Sequence, residues 1–205
     1  MGPHPVDADG ERSDLNLWVS RRTDGGWSIA EPLPEPVNSE ANEIYSSVVA
    51  DGSLYFNSNR PYLTEVRSNF YRAQRLADGG FAEPVNVEFS VSGQLWVGDT
   101  FVAPDESYMV LTSTRPDGYG SGDLYASFRQ ADGYWSEPIN LGPEVNSGVL
   151  EYCPMVTPDG KYLFFSRRLS DPPDGGWPNV VEGNVYWVDI EVIHRLKPGD
   201  QNNEW

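Results

Sequence analysis

Short apolar and aromatic runs recur along the chain, and polar segments rich in glycine and proline separate them. The runs at 54–58, 108–112 and 162–166 are too short for helices and contain aromatic residues. Such runs between turn-forming segments predict β-strands. Helical spacing of apolar residues is lacking except at 190–196, which is either a strand extension or a short helix. The pattern therefore predicts an all-β chain.

The strands are spaced periodically. Three series of residues recur at a constant step of 54: Asp24-Gly25, Asp78-Gly79 and Asp132-Gly133; Trp27, Phe81 and Trp135; and Asp51, Asp105 and Asp159. Asp-Gly pairs favour tight hairpin turns, because both residues tolerate left-handed backbone. A fourth series, which marks another strand, steps by 53, 54 and 61 through Asn16, Asn69, Asp123 and Asn184. The last repeat therefore carries about seven extra residues (61 − 54), and we place Asp174 to Trp177 in that insertion.

A period near 50 residues with several strands in each repeat is typical of a β-propeller, whose four-stranded antiparallel blades stack around an axis. We expect about three and a half blades within 14–196, an incomplete propeller. They are a half blade at 14–38, blades at 43–92 and 96–142, and a last blade at 151–193, between polar tails at 1–13 and 197–205. Aromatic residues at matching positions are expected in the core between blades: Trp18, Tyr71, Tyr125 and Tyr186.

Three segments resemble a known family. Residues 157–166 (TPDGKYLFFS), 115–125 (RPDGYGSGDLY) and 58–61 (SNRP) are similar to the WD-like β-propeller repeats of the TolB-like superfamily. The similarity extends to 137–142 (EPINLG) and covers about residues 14–193. It implies a propeller that binds ligands at one face, and a periplasmic or otherwise extracytoplasmic location in bacteria.

The chain departs from this pattern at two kinds of position. The family's strand aspartate is present only as Asp123, where we expect Arg115 to reach it across a hairpin. Glu43 and Glu151 occupy matching positions two steps of 54 apart, but Val97 stands halfway between them. The inner edge of the third repeat is therefore expected to be unusual.

The composition of the chain limits the classes of function and partner that we expect. With 31 acidic and 14 basic residues, the net charge of -17 would repel nucleic acid, so a nucleic acid partner is not expected. Membrane insertion is not expected, because the sequence has no transmembrane run. A signal peptide is not predicted either, because residues 1–14 are polar and carry no apolar stretch. Cys153 is the single cysteine, so it cannot form an intramolecular disulfide, and we predict a small core residue there.

Candidate catalytic residues are few. His4 and His194 have no partner at metal-ligand spacing, which argues against a zinc site or a histidine-based triad. Glu43 and Glu151 are the catalytic candidates, since a carboxylate pair at the channel suits glycoside hydrolysis. Structural hydrogen bonding where each blade begins is the favoured role for the same two residues.

Metal and ligand sites are similarly limited. Asp117 and Asp123 share a glycine-rich loop and are the candidate Ca²⁺ ligands, although their spacing follows no known calcium loop and Arg115 competes for them. No cofactor is expected. Trp96, Arg60 and Arg115 are the candidate ligand-binding residues.

There are two candidate functions. One, which the resemblance implies, is a non-catalytic propeller that binds a protein or glycan at one face. The other is a carbohydrate-active hydrolase or lyase, in which an aromatic such as Trp96 would lie beside two carboxylates at one mouth. We also expect a homodimer in which each subunit completes the blades of the other, because an open stack leaves strand edges unpaired.

Overall fold

The computed structural model describes residues 15–61, 67–91, 94–170 and 180–198. The predicted tail at 1–13 and most of that at 197–205 lie outside these ranges, as does the predicted insertion at 174–177. The described chain is all-β apart from one short helix, and it divides into two compact units between Val87 and Glu88.

The first unit contains a hairpin and a four-stranded sheet. Its strands are β1 (Trp18–Val19), β2 (Arg22–Thr23), β3 (Gly26–Trp27), β4 (Glu31–Pro32), β5 (Glu43–Val48), β6 (Leu54–Ser58), β7 (Arg67–Ser68), β8 (Phe70–Ala73) and β9 (Val85–Asn86). β1 pairs with β4 and β2 with β3, both antiparallel, so 18–32 form a hairpin, the first hairpin. The β5 sheet is antiparallel in the order β5-β6-β8-β9.

The second unit contains two sheets. Its elements are β10 (Gln94–Leu95), β11 (Thr100–Val102), β12 (Tyr108–Ser113), β13 (Asp123–Phe128), β14 (Ile139–Asn140), β15 (Leu150–Val156), β16 (Tyr162–Ser170), β17 (Val180–Asp189) and α1 (Glu191–His194). The β11 sheet has four antiparallel strands in the order β11-β12-β13-β14. Within the described residues, the β15 sheet has three antiparallel strands, β15-β16-β17.

The predicted Asp-Gly turns join neighbouring strands. Gly52, Gly79, Gly133 and Gly160 all have positive φ, between 71° and 90°. The aspartate before each turn glycine accepts a backbone N–H two residues on, as Asp51 does from Ser53 at 2.8 Å. This hydrogen bond lowers the pKa of Asp51. The predicted role of the Asp-Gly pairs as turn formers is confirmed.

Each unit has its own hydrophobic core. In the first unit, Leu17 and Val37 pack with Leu54, Phe56 and Tyr71 of the β5 sheet. The core of the second unit lies between one face of the β11 sheet and one face of the β15 sheet, and α1 closes it: Val110, Leu124, Ala126, Phe128, Leu141, Val145, Val156, Leu163, Phe165, Ile190, Val192 and Ile193. The stretch 190–196 thus contains the short helix α1 (Glu191–His194) and is not a strand extension.

The aromatic residues at matching positions are not all buried. Tyr71 and Tyr125 are 0% exposed, as predicted. Tyr186 is 37% exposed, so its prediction as a core residue is wrong. The Arg167 guanidinium lies 4.6 Å from the Tyr186 ring centre and forms a cation–π contact with it.

Candidate functional site

Glu43, at the start of β5, is part of a buried hydrogen-bonded cluster. Its side chain is 0% exposed and lies 3.0 Å from Arg60 Nη2. Ser39 donates to this carboxylate from both N and Oγ, and Ser58 Oγ donates at 2.9 Å. Arg60 also donates to the carbonyl oxygen of Val37. We call this cluster of Glu43, Ser39, Ser58 and Arg60 the Glu43 clamp.

Glu151, at the corresponding place in β15, has nearly the same partners. Ser147 donates to it from N and Oγ, and Arg167 Nε lies 2.7 Å from Glu151 Oε1. Arg167 Nη2 donates to the carbonyl oxygen of Val145 at 2.8 Å. We call Glu151, Ser147 and Arg167 the Glu151 clamp. In both clamps the carboxylate is held by hydrogen bonds and an ion pair inside its own unit.

A repeated Asn-Ser pair accompanies each clamp. The Asn38 side-chain amide bonds both N–H and C=O of Leu17, and Asn146 bonds Leu124 in the same way. Asn38-Ser39 and Asn146-Ser147 lie two repeats apart, as the two glutamates do. The glutamates were predictable from their spacing, whereas the serines and Arg167 were missed, although the repeated Asn-Ser pair was a usable signal.

The third repeat has no such clamp, because Val97 occupies the glutamate position and is itself 0% exposed. The sequence led us to expect that Arg115 would bind Asp123, but the structure shows no such bond. Its Nε lies 3.1 Å from Asp117 Oδ1 and its Nη2 lies 2.7 Å from Glu137 Oε1. Burial opposes protonation of Arg115, but the bonds to Glu137 and Asp117 outweigh it and raise the pKa.

Arg115 lines a cleft of about 630 Å³ in the second unit, together with Trp96 and Glu137. We call it the ligand cleft; the rest of its wall is formed by Ser90, Val91, Leu95, Ser113, Thr114 and Pro116. The Trp96 side chain is 51% exposed. The structure therefore brings together two of the three predicted ligand-binding residues, beside a carboxylate that the sequence analysis did not select.

The position of Trp96 is fixed locally. Ser113 Oγ donates to the Trp96 carbonyl oxygen at 2.7 Å. A Cβ at Gly98 would lie 2.8 Å from Trp96 Cη2 and 3.1 Å from Thr112 Cβ. Glycine at 98 thus leaves room for the indole to lie against the backbone and keep one side exposed.

The candidate calcium ligands have internal partners. Asp123 is 1% exposed and accepts hydrogen bonds from Tyr119 N, Gly120 N and Asn140 Nδ2. Asp117 accepts one from Tyr125 OH at 3.3 Å in addition to Arg115. The described residues contain no group of three or more His, Cys, Asp or Glu side chains arranged to hold a metal ion.

Arg60 lines a different cleft, of about 640 Å³, in the first unit. Glu35, Glu40 and Glu83 also line it. The Arg60 side chain is only 13% exposed because the Glu43 clamp holds its guanidinium. Arg60 therefore forms part of the wall and presents few free donors to a ligand.

Cys153 is exposed, so its prediction as a core residue is wrong. Its Sγ turns toward Asp99 and donates a hydrogen bond to Asp99 Oδ2 at 2.9 Å. The residue is exposed, but its sulfur is partly buried against Asp99, and this partial burial and the Asp99 carboxylate together raise the pKa of the thiol to about 12. Because the thiolate is the nucleophilic form, the raised pKa should slow reactions of this thiol near neutral pH.

No family model matches the chain, and no curated protein matches it. Among the described residues, no helix has the length and apolar character needed to cross a membrane.

Proposed function

We propose that this chain is a non-catalytic binding module of the β-propeller type, similar to TolB-like repeats, and that it binds a glycan in the ligand cleft. The observation that carries the proposal is the placing of exposed Trp96 beside the Arg115–Glu137 ion pair in one cleft. An aromatic face packs against the C–H surface of a sugar ring, and charged side chains bond its hydroxyls.

The propeller part of the proposal is supported by the arrangement of the sheets. The β5 and β11 sheets are four-stranded meanders whose corresponding strands lie one repeat apart. In the second unit, one face of the β11 sheet packs on one face of the β15 sheet, which is the contact that neighbouring blades make. A periplasmic or extracytoplasmic location belongs to the same proposal and is supported only by the resemblance.

The charges of the ligand cleft favour a neutral glycan. Arg115 already pairs with both Asp117 and Glu137, so the three groups together carry a net charge of about -1. The Glu137 side chain is 62% exposed and can still accept hydrogen bonds from hydroxyls. An acidic sugar would meet uncompensated carboxylate charge here, whereas a neutral sugar would not.

Binding is favoured over the alternative of a hydrolase or lyase. A glycosidase needs two carboxyl groups that face the scissile bond, one of them free to transfer a proton. Glu43 and Glu151 are each 0% exposed and held in their own clamps. This occupation of the catalytic candidates supports a module that holds its ligand without cleaving it.

A glycan array followed by calorimetry tests the proposal. We expect at least one neutral glycan to bind, and Trp96→Ala to weaken that binding about tenfold, as loss of an aromatic contact does. Tyr134→Ala, at an aromatic residue that is 44% exposed outside the cleft, is the matched control and should leave the Kd unchanged. The proposal would be contradicted if Trp96→Ala bound the glycan as tightly as the wild type, or if the chain recognised proteins but no glycan.

A further inference from the structure

The β15 sheet has an exposed apolar face on the side opposite its core. Met155, Phe164 and Trp187 lie directly across from one another on β15, β16 and β17 and therefore share this face. Met155 is 55% exposed and Trp187 is 60% exposed. Val185, two residues before Trp187 and so on the same face, is 69% exposed. We call this surface the outer face.

The corresponding face of the β11 sheet is buried. Phe101, Val110 and Ala126 form the equivalent row across β11, β12 and β13. The steps from this row to Met155, Phe164 and Trp187 are 54, 54 and 61, the spacings of the repeat. Val110 and Ala126 are 0% exposed because they pack in the core formed with the β15 sheet. At these positions, the next sheet along the chain covers the row.

The first hairpin shows the complementary situation. Trp27, Phe81 and Trp135 occupy the same position in successive repeats. Phe81 packs against the core of the first unit, which contains Leu17, the residue just before the hairpin, together with residues of the β5 sheet. Trp135 is 1% exposed and pairs with Phe89 of the preceding segment, whereas Trp27 is 70% exposed.

We infer that the outer face of one copy of this chain docks on the first hairpin of a second copy. Each exposed surface consists of positions that are covered, elsewhere in the same chain, by an element of a neighbouring repeat. The hairpin of a second copy offers an exposed aromatic side chain, and docking it on the outer face buries Trp27, Val185 and Trp187 in one contact. Because two different surfaces meet, the association is head to tail.

The oligomeric state tests this inference. Sedimentation velocity and light scattering of the wild-type chain over a concentration series should show a dimer or larger assembly that dissociates on dilution. Trp187→Glu and Trp27→Glu should each give a monomer, because each places a charge in the contact. Val85→Glu, at a 59% exposed position on β9, is the control and should associate like the wild type.

Mixing the two variants distinguishes the proposed contact from others. Trp187→Glu keeps an intact hairpin and Trp27→Glu keeps an intact outer face, so an equimolar mixture should form a heterodimer through one contact. Circular dichroism melts should confirm that both are folded, and Met155→Lys provides a second, smaller change on the outer face. A monomeric wild type, variants that still associate, or a mixture that stays monomeric would overturn the inference.

Discussion

The Cys153 thiol donates a hydrogen bond to Asp99 Oδ2 at a distance of 2.9 Å, and the two residues lie one repeat apart in the sequence. The backbone N–H of Cys153 donates to the same oxygen, also at 2.9 Å. Cys153 has a φ of 51° and lies in a bulge, since β15 loses its register with β16 between Tyr152 and Met155. The bulge aims the thiol at the carboxylate.

We expect Asp99→Asn to speed alkylation of Cys153. Burial and the Asp99 carboxylate raise the pKa of the thiol from 9.0 to about 12, so the thiolate is scarce at pH 8. Removing the carboxylate charge lowers this pKa in part, since burial remains, and the rate with iodoacetamide at pH 8 should rise about tenfold. The chain has one cysteine, so the label reports a single site.

The pH dependence of the Cys153 alkylation rate, and of the stability contributed by its proton, has a defined sign. In the wild type the alkylation rate should keep rising above pH 9 and level off only near pH 12. The folded state holds this proton more tightly than the unfolded state, so its stabilising contribution is complete below pH 9 and is lost toward pH 12. Asp105→Asn, in a turn of the same sheet as Asp99, should leave the rate unchanged; a rate unaffected by Asp99→Asn would refute the coupling.

The bulge explains why sequence alone misplaced Cys153. Alternation along β15 puts residue 153 on the side of Glu151, which is 0% exposed. An extra residue in the strand shifts the later positions to the other face, and no residue type marks the place. Tyr45, with a φ of 50° in β5, lies in a matching bulge two repeats earlier. The turns were easier to predict, because an Asp-Gly pair carries its own backbone preference.

We expect Gly98→Ala to displace the Trp96 indole. The added Cβ would lie 2.8 Å from the ring, so the ring must move, whereas the backbone of Gly98 keeps its conformation. With 5-fluorotryptophan incorporated, the Trp96 resonance, assigned from Trp96→Phe, should shift, and glycan binding should weaken about as much as in Trp96→Ala. Gly148→Ala, where no atom lies within 4 Å of the new Cβ, is the control. An unshifted Trp96 resonance would contradict this account of the cleft.

The ligand cleft was only partly predictable. Sequence spacing showed that Val97 breaks the Glu43 and Glu151 series, and the structure shows that Arg115 pairs with Glu137 there. The sequence did not reveal this pairing, because the chain has 31 acidic residues and several of them lie near Arg115 along the sequence. Choosing between Asp117, Asp123 and Glu137 requires the positions of the strands in space.

We expect Glu151→Ala to destabilise the protein by about 3 kcal/mol, as loss of one partner in a buried ion pair does. The change leaves the Arg167 guanidinium without its carboxylate and leaves Ser147 N and Oγ without their acceptor. Urea unfolding followed by circular dichroism measures the effect. Glu182→Ala, at an exposed residue of β17, should change stability by no more than about 0.5 kcal/mol. Equal effects of the two changes would mean that the clamp is not structural.

Gly120→Ala should destabilise the protein strongly, because the chain passes very close to Gly120. An added Cβ would lie 2.1 Å from the carbonyl oxygen of Val149 and 2.5 Å from that of Ser147. Both are backbone atoms, so relief of the clash must move either the Ser147 segment, which holds Glu151, or the loop whose N–H groups bond Asp123. We expect a loss of about 3 kcal/mol in urea unfolding, the cost of a backbone shift with broken hydrogen bonds. Gly148→Ala adds the same methyl group without a contact and should be nearly neutral, so matching stabilities of the two variants would show that this close approach does not exist in solution.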